Sequence, residues 1–110
     1  MTTVDQFPVA QEATPNHLLI DSMFSEELPQ GKPGDYQYEP GVVGKQSYFW
    51  LSCPKCGQLS ALAIRPVIDP VANQQSWELS GEDSKPTLQP SINHIGCWHG
   101  WLTNGKFIQA

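Results

Sequence analysis

Residues 98–109 read "WHGWLT", "NG" and "KFIQ", and this stretch decides the fold class. Asn104-Gly105 accepts the positive φ angles of a type I′ turn, and alternating residues flank it on both sides. The stretch predicts a β-hairpin. Trp98 and Trp101 have opposite parity along its first strand, so one belongs in a core while the other covers a site or faces a partner.

Working back along the chain, "KPTLQPSI" (residues 85–92) holds two prolines. Proline cannot donate to a ladder, so this run is expected to be an extended connector or an edge strand, not a central one. "SWELS" (76–80) is a third strand. "LSALAIR" (59–65) and "QSYFWLS" (46–52) are two more, the latter with Tyr48 and Trp50 on one face and Phe49 and Leu51 on the other. Residues 46–110 thus predict a mostly β domain built of antiparallel hairpins, either zinc-ribbon-like or β-sandwich-like.

Between the first two of these strands stand Cys53, Pro54, Lys55, Cys56 and Gly57. A Cys-x-x-Cys at a hairpin tip, followed by glycine, is the geometry of a zinc knuckle. The tight turn aims both thiolates at one point. Cys97 is the third cysteine, and His99 follows two positions later. Residues i and i+2 of a strand face the same way, so the expected ligand set is Cys53, Cys56, Cys97 and His99, with His94 as the spare candidate. Three thiolates and an imidazole are a structural zinc set, and the expected cofactor is structural Zn2+, with iron as the alternative metal.

Other readings of the cysteines fit less well. An odd number of cysteines leaves one over from any disulfide framework. A redox Cys-x-x-Cys normally follows a strand and opens a helix, whereas this one lies between two strand-like runs. A Rieske centre needs two cysteines and two histidines, and the first pair here has no histidine. Thr87, Ser91 and His94 fall close together, but no glycine elbow surrounds either hydroxyl, so turn or capping roles are expected of them. No catalytic residue is assigned.

The first part of the chain has a different character. Ten prolines and nine glycines in 110 residues point to many turns and little long helix. Residues 1–15 read as a flexible leader, and residues 16–45 as an acidic, turn-rich segment, irregular or partly helical. Asn16 is placed to cap a short helix over "HLLIDSMFSEEL", although a strand at "HLLI" fits almost as well. Residues 1–45 carry seven acids and two bases, while residues 46–110 carry four of each, so the whole net charge of −5 lies in the first part. Such a chain lacks the clustered Lys and Arg that neutralise phosphates, so nucleic acid is not expected as a partner. No apolar run approaches the ~20 residues that span a bilayer, and the start has neither a basic n-region nor an apolar h-region. A cytoplasmic location without membrane contact is expected.

The order "CPKCG", "WELSG" with "PTLQPSI", and "GCWHGWLTNGKF" resembles a family of small uncharacterised phage and prophage proteins, some of whose members are labelled ammonia monooxygenase. The likeness covers about residues 46–110. It implies a zinc-binding protein of phage type in the host cytoplasm. No membrane span and no copper or di-iron constellation supports the monooxygenase label. The resulting expectation is a non-enzymatic, zinc-stabilised protein-binding module that engages a host or phage protein in host interaction or anti-defence. A small-molecule substrate is not expected. The alternatives are a metal-dependent hydrolase or redox enzyme using His94 beside the metal, and a nucleic-acid-binding zinc module.

Overall fold

The computed structural model describes residues 10–68 and 75–110. Among these residues nine strands form one sheet: β1 (Ala10–Glu12), β2 (Thr14–Pro15), β3 (Asp35–Glu39), β4 (Ser47–Ser52), β5 (Leu59–Ile64), β6 (Ser76–Glu82), β7 (Lys85–His94), β8 (Trp98–Thr103) and β9 (Lys106–Gln109). Their order is β1-β9-β8-β7-β6-β5-β4-β3-β2. The first and last strands of that order are consecutive in the chain, so the sheet comes back on itself and is nearly closed.

The mostly β expectation holds, and the turn chemistry explains why. Asn104 and Gly105 adopt φ of 53° and 79°, and β8 and β9 pair from Thr103↔Lys106 to Gly100↔Gln109. An L-residue other than Asn, Asp or Gly rarely accepts these angles. β4 and β5 pair along their full length, from Ser52↔Leu59 to Ser47↔Ile64. Two contacts in the sheet are parallel: β5 with β6, through Ala63↔Ser76 and Ile64↔Trp77, and β2 with β3.

The run with two prolines is not at an edge. β7 pairs with β6 on one side and β8 on the other. Pro86 pairs with Gly81 of β6, and its carbonyl accepts from Gly105 N–H of the β8–β9 turn at 2.8 Å. Pro90 lies within a bulge, where the β7–β8 register shifts between Leu88 and Ile92. A bulge leaves residues unpaired, so the missing N–H breaks no ladder bond.

Alternation places one core between the two halves of the sheet. Phe49, Leu51, Leu62 and Ile64 from β4 and β5 meet Leu88, Ile92, Trp98, Leu102 and Phe107 from β7, β8 and β9. Tyr36 stacks on Phe49 with centroids 5.3 Å apart, and Trp98 meets Phe107 edge to face at 5.7 Å. Burying each such side chain contributes about 1.5–3 kcal/mol. Trp98 is the core member of its pair, and Trp101 is 42% exposed.

The N-terminal part also differs from the sequence expectation. Residues 1–9 of the expected leader lie outside the described residues, while β1 and β2 occupy the rest of it. Asn16 caps no α-helix. Its Oδ1 accepts from Leu18 N–H at 2.9 Å and its Nδ2 donates to Asp35 Oδ2 at 2.9 Å, which makes a side-chain-closed turn. A single 3-10 turn, Asp21–Met23, follows. β3 then joins the sheet from within the segment expected to be irregular, pairing with β4 from Tyr36↔Leu51 to Glu39↔Tyr48.

Candidate metal centre and serine–histidine pair

Two hairpin turns meet at one end of the molecule. The β4–β5 turn carries Cys53 and Cys56. Cys53 N–H donates to Gln58 C=O at 2.8 Å, Gly57 N–H donates to Cys53 C=O at 2.9 Å, and Ser52 Oγ donates to Gly57 C=O at 2.9 Å. Gly57 has φ of +81°, a conformation that suits glycine. The β7–β8 turn carries His94 and Cys97. Cys97 N–H donates to His94 C=O at 2.9 Å, and Gly96 sits between them at φ +80°. Positive φ at the third position of such a turn is the reason for glycine there.

One ligand atom from each of Cys53, Cys56, His94 and Cys97 lies within 4.8 Å of all the others. Cys53 Sγ stands 3.7 Å from Cys97 Sγ, and Cys56 Sγ stands 3.7 Å from His94 Nδ1. Cys53 is buried and Cys56 exposed. Beyond the group, His94 Nε2 lies 3.0 Å from Gln58 Oε1. If Nε2 carries the proton donated there, Nδ1 keeps its lone pair for the centre, which is how an outer hydrogen bond orients a ligating imidazole. The sulfurs also perturb one another. Hydrogen bonding with Cys97, then with the Gln58 backbone, holds the Cys56 thiol below its ordinary range. Cys97 is pushed up to about 12, first by its hydrogen bond to Cys56 and then by burial. These four residues can hold a metal ion.

Three of the expected ligands, Cys53, Cys56 and Cys97, come together; the fourth, His99, does not. The histidine of the group is His94, the spare candidate. The parity argument failed because Cys97 lies in the turn, and β8 begins only at Trp98. A usable signal was present in the chain: His94-x-x-Cys97 repeats the spacing of Cys53-x-x-Cys56, and each pair spans a tight turn.

His99 is engaged elsewhere. It stands on the outer face of β8, with its Nε2 3.1 Å from Ser91 Oγ on β7. The β7 bulge falls between Leu88 and Ile92 and so contains Ser91. Bulges re-aim side chains and are frequent beside active sites. The Ser91 carbonyl accepts from Trp77 Nε1 at 3.3 Å, and the rings of His99 and Trp101 lie 6.2 Å apart. Thr87, the other hydroxyl weighed from sequence, accepts from Asn104 N–H through Oγ1 at 2.8 Å and so braces the final turn. The serine–histidine pair was missed because its partners are joined by an irregular register, which no local motif encodes.

Fold and site together define a small, mostly β protein in which the hairpin that carries a serine–histidine pair also supplies half of a group able to hold a metal ion. The family model for the bacterial ubiquitination-like system serine protease, BubE, matches residues 24–110. The chain belongs to the BubE family. No curated protein and no solved structure matches it.

Proposed function

We propose that this chain is a serine peptidase of a bacterial ubiquitination-like system, with Ser91 as nucleophile, His99 as general base and zinc as a structural staple. The observation that carries this reading is the 3.1 Å separation of Ser91 Oγ and His99 Nε2, the reach at which a base takes a hydroxyl proton. It is the one serine–histidine hydrogen bond among the described residues. The serine protease description of the family agrees with it. A peptidase replaces the non-enzymatic module in this reading, although a protein remains the partner.

The chemistry follows from these two side chains. Ser91 Oγ attacks the scissile carbonyl carbon as its proton passes to His99 Nε2. The C–N bond breaks, and the leaving amine takes that proton from His99. Water, deprotonated by His99, then attacks the acyl ester and releases Ser91 with its proton restored.

The donor set fits zinc. Two sulfurs each ~2.3 Å from a tetrahedral ion stand about 3.8 Å apart, against 3.7 Å for Cys53 and Cys97. When bound, zinc would be held by Cys53, Cys56, His94 and Cys97. Four protein ligands make a closed site, so the ion would fix structure and leave no position for a reacting water. His94, as a ligand, is not the base of a metal hydrolase.

A fluorophosphonate probe tests the assignment, because it phosphonylates an activated serine without needing a peptide. Mass spectrometry of the labelled chain is expected to place the adduct on Ser91, with none in Ser91→Ala and slow labelling in His99→Ala. A folded, metal-loaded wild type that neither labels nor cleaves any polypeptide overturns the reading.

A further inference from the structure

The bulge in β7 sets Trp101 against the serine–histidine pair. On either side of the bulge the strands pair through Leu88↔Leu102 and Ile92↔Gly100. Gln89, Pro90 and Ser91 therefore lie opposite the single residue Trp101. Trp101 also follows His99 by two positions on β8, so the two side chains leave the same face. Their rings stand 6.2 Å apart with planes tilted by 33°. Ser91, His99 and Trp101 thus occupy neighbouring positions, and Ser91 Oγ lies 3.1 Å from His99 Nε2 among them.

The face they share is the outer one. Along β8 the buried residues Trp98, Gly100 and Leu102 alternate with the exposed residues His99, Trp101 and Thr103. Trp101 keeps 42% of its surface exposed, whereas Trp77 and Trp98 are buried. Across the ladder Trp101 pairs with half-buried Ile108, and directly opposed residues share a face. The next row on this face is Thr103, Lys106 and Glu12, paired in register, with Lys106 Nζ 3.9 Å from Glu12 Oε1. Trp101 and Ile108 form an apolar shelf between the serine–histidine pair and this polar row. A rigid indole of large apolar area suits contact with another chain.

We propose that Trp101 is a specificity-determining residue of the peptidase: its indole, continued by Ile108, receives an apolar side chain of the polypeptide substrate. This rests on the peptidase reading. The side chains that fit are those of leucine, isoleucine, valine, methionine and phenylalanine. Extended chain advances about 3.3 Å per residue, so the 6.2 Å between the His99 and Trp101 rings corresponds to two residues of substrate. The apolar side chain therefore belongs to a residue within about two positions of the scissile bond. An open shelf sets no upper limit on size and rewards the apolar area it covers. Selection acts against small residues, and against carboxylates, which lose hydration beside the negative face of the indole.

The test is the cleavage-site profile of the metal-loaded wild type on a mixture of unfolded polypeptides, read by mass spectrometry, beside fluorophosphonate labelling of Ser91. One position near the cut is expected to be enriched in large apolar residues. Trp101→Ala is expected to lose that enrichment and to raise KM for the best peptide by about tenfold, the low end of what one methylene commands in a closed pocket. Its Ser91 should still label, and Trp101→Phe should keep the preference. Should Trp101→Ala not fold, Trp101→Thr, whose side chain suits a strand, reads the same loss. Normal wild-type labelling overturns the shelf alone if the profile shows no apolar position, or shows one that Trp101→Ala leaves unaltered. Enrichment in arginine or lysine, which stack on indole as cations, likewise overturns the apolar assignment. Absence of labelling in the wild type overturns the peptidase reading instead.

Discussion

Cys97 N–H donates to His94 C=O across 2.9 Å, and this one bond closes a turn with two duties. It sets an imidazole and a thiol side by side in the metal-binding group. It also fixes the pairing of His94 with Trp98, next to Asn93 with His99, and so the placement of His99 relative to Ser91. The same hairpin thus connects the metal-binding group to the serine–histidine pair through backbone alone.

The two histidines of this hairpin should therefore separate in a metal assay. Elemental analysis of purified protein is expected to find about one zinc per chain. His94→Ala and Cys97→Ser should lose it, and His99→Ala should keep it in full. Structural zinc supplies on the order of 10 kcal/mol to small domains, so the cysteine variant is also expected to unfold far more readily. Zinc retained in His94→Ala and lost in His99→Ala would restore the ligand set expected from parity.

Removing the serine or the base should leave the fold intact. Ser91 and His99 both lie outside the core cluster. Ser91→Ala and His99→Ala are expected to melt within a few degrees of the wild type. Removal of the base alone should slow peptide cleavage by about 10²–10⁴-fold. A His99→Ala chain that cleaves at the wild-type rate would remove that residue from the reaction.

Gln58 acts on the metal-binding group only through His94, whose Nε2 lies 3.0 Å from Gln58 Oε1. Gln58→Ala should weaken zinc affinity by roughly 10–100-fold, the usual cost of losing an outer partner. A competition titration against a coloured chelator measures this directly. An unchanged affinity would mean that the hydrogen bond does not orient the ring.

Tyr36 links the two halves of the sheet, its hydroxyl donating to Asp83 C=O at 2.7 Å. Burial, then the Asp83 charge, raises its pKa above the ordinary 10.0. A raised pKa in the folded chain contributes stability that is complete below the unfolded value and is lost as pH rises through the folded one. Thermal melting followed above pH 10 should show that loss in the wild type. Tyr36→Phe should show a shallower decline over the same range, at a cost of about 0.5–1.5 kcal/mol near neutrality for the hydrogen bond. Parallel curves for the two proteins would contradict it.

Local chemistry made much of the fold legible. Asn104-Gly105 forces its turn, and alternation in 46–52 and 59–65 forces the inward faces of β4 and β5. Cys53-x-x-Cys56 announces its own geometry for the same reason. What stayed hidden depends on contacts distant in sequence. Pro86 and Pro90 read as edge signals because what accommodates them is distant in sequence: Gly105 N–H for the Pro86 carbonyl, and the bulge against β8 for Pro90. Asp35–Glu39 falls within the segment that reads as turn-rich because its strand character comes from pairing with β4. Ser91 and His99 are brought together by an irregular register, and each alone is an unremarkable residue on an exposed face.

The segment from Ala10 to Pro15 pairs with β9 at one end and β3 at the other. Ala13, 8% exposed between them, donates its N–H to Gly105 C=O at 2.9 Å. It works as a clasp. Unfastening it bares two strand borders at once, β9 and β3, and bare borders recruit other chains. The clasp also falls before residue 24, where the family match begins. The cover over both borders therefore comes from a part of the chain outside the matched region.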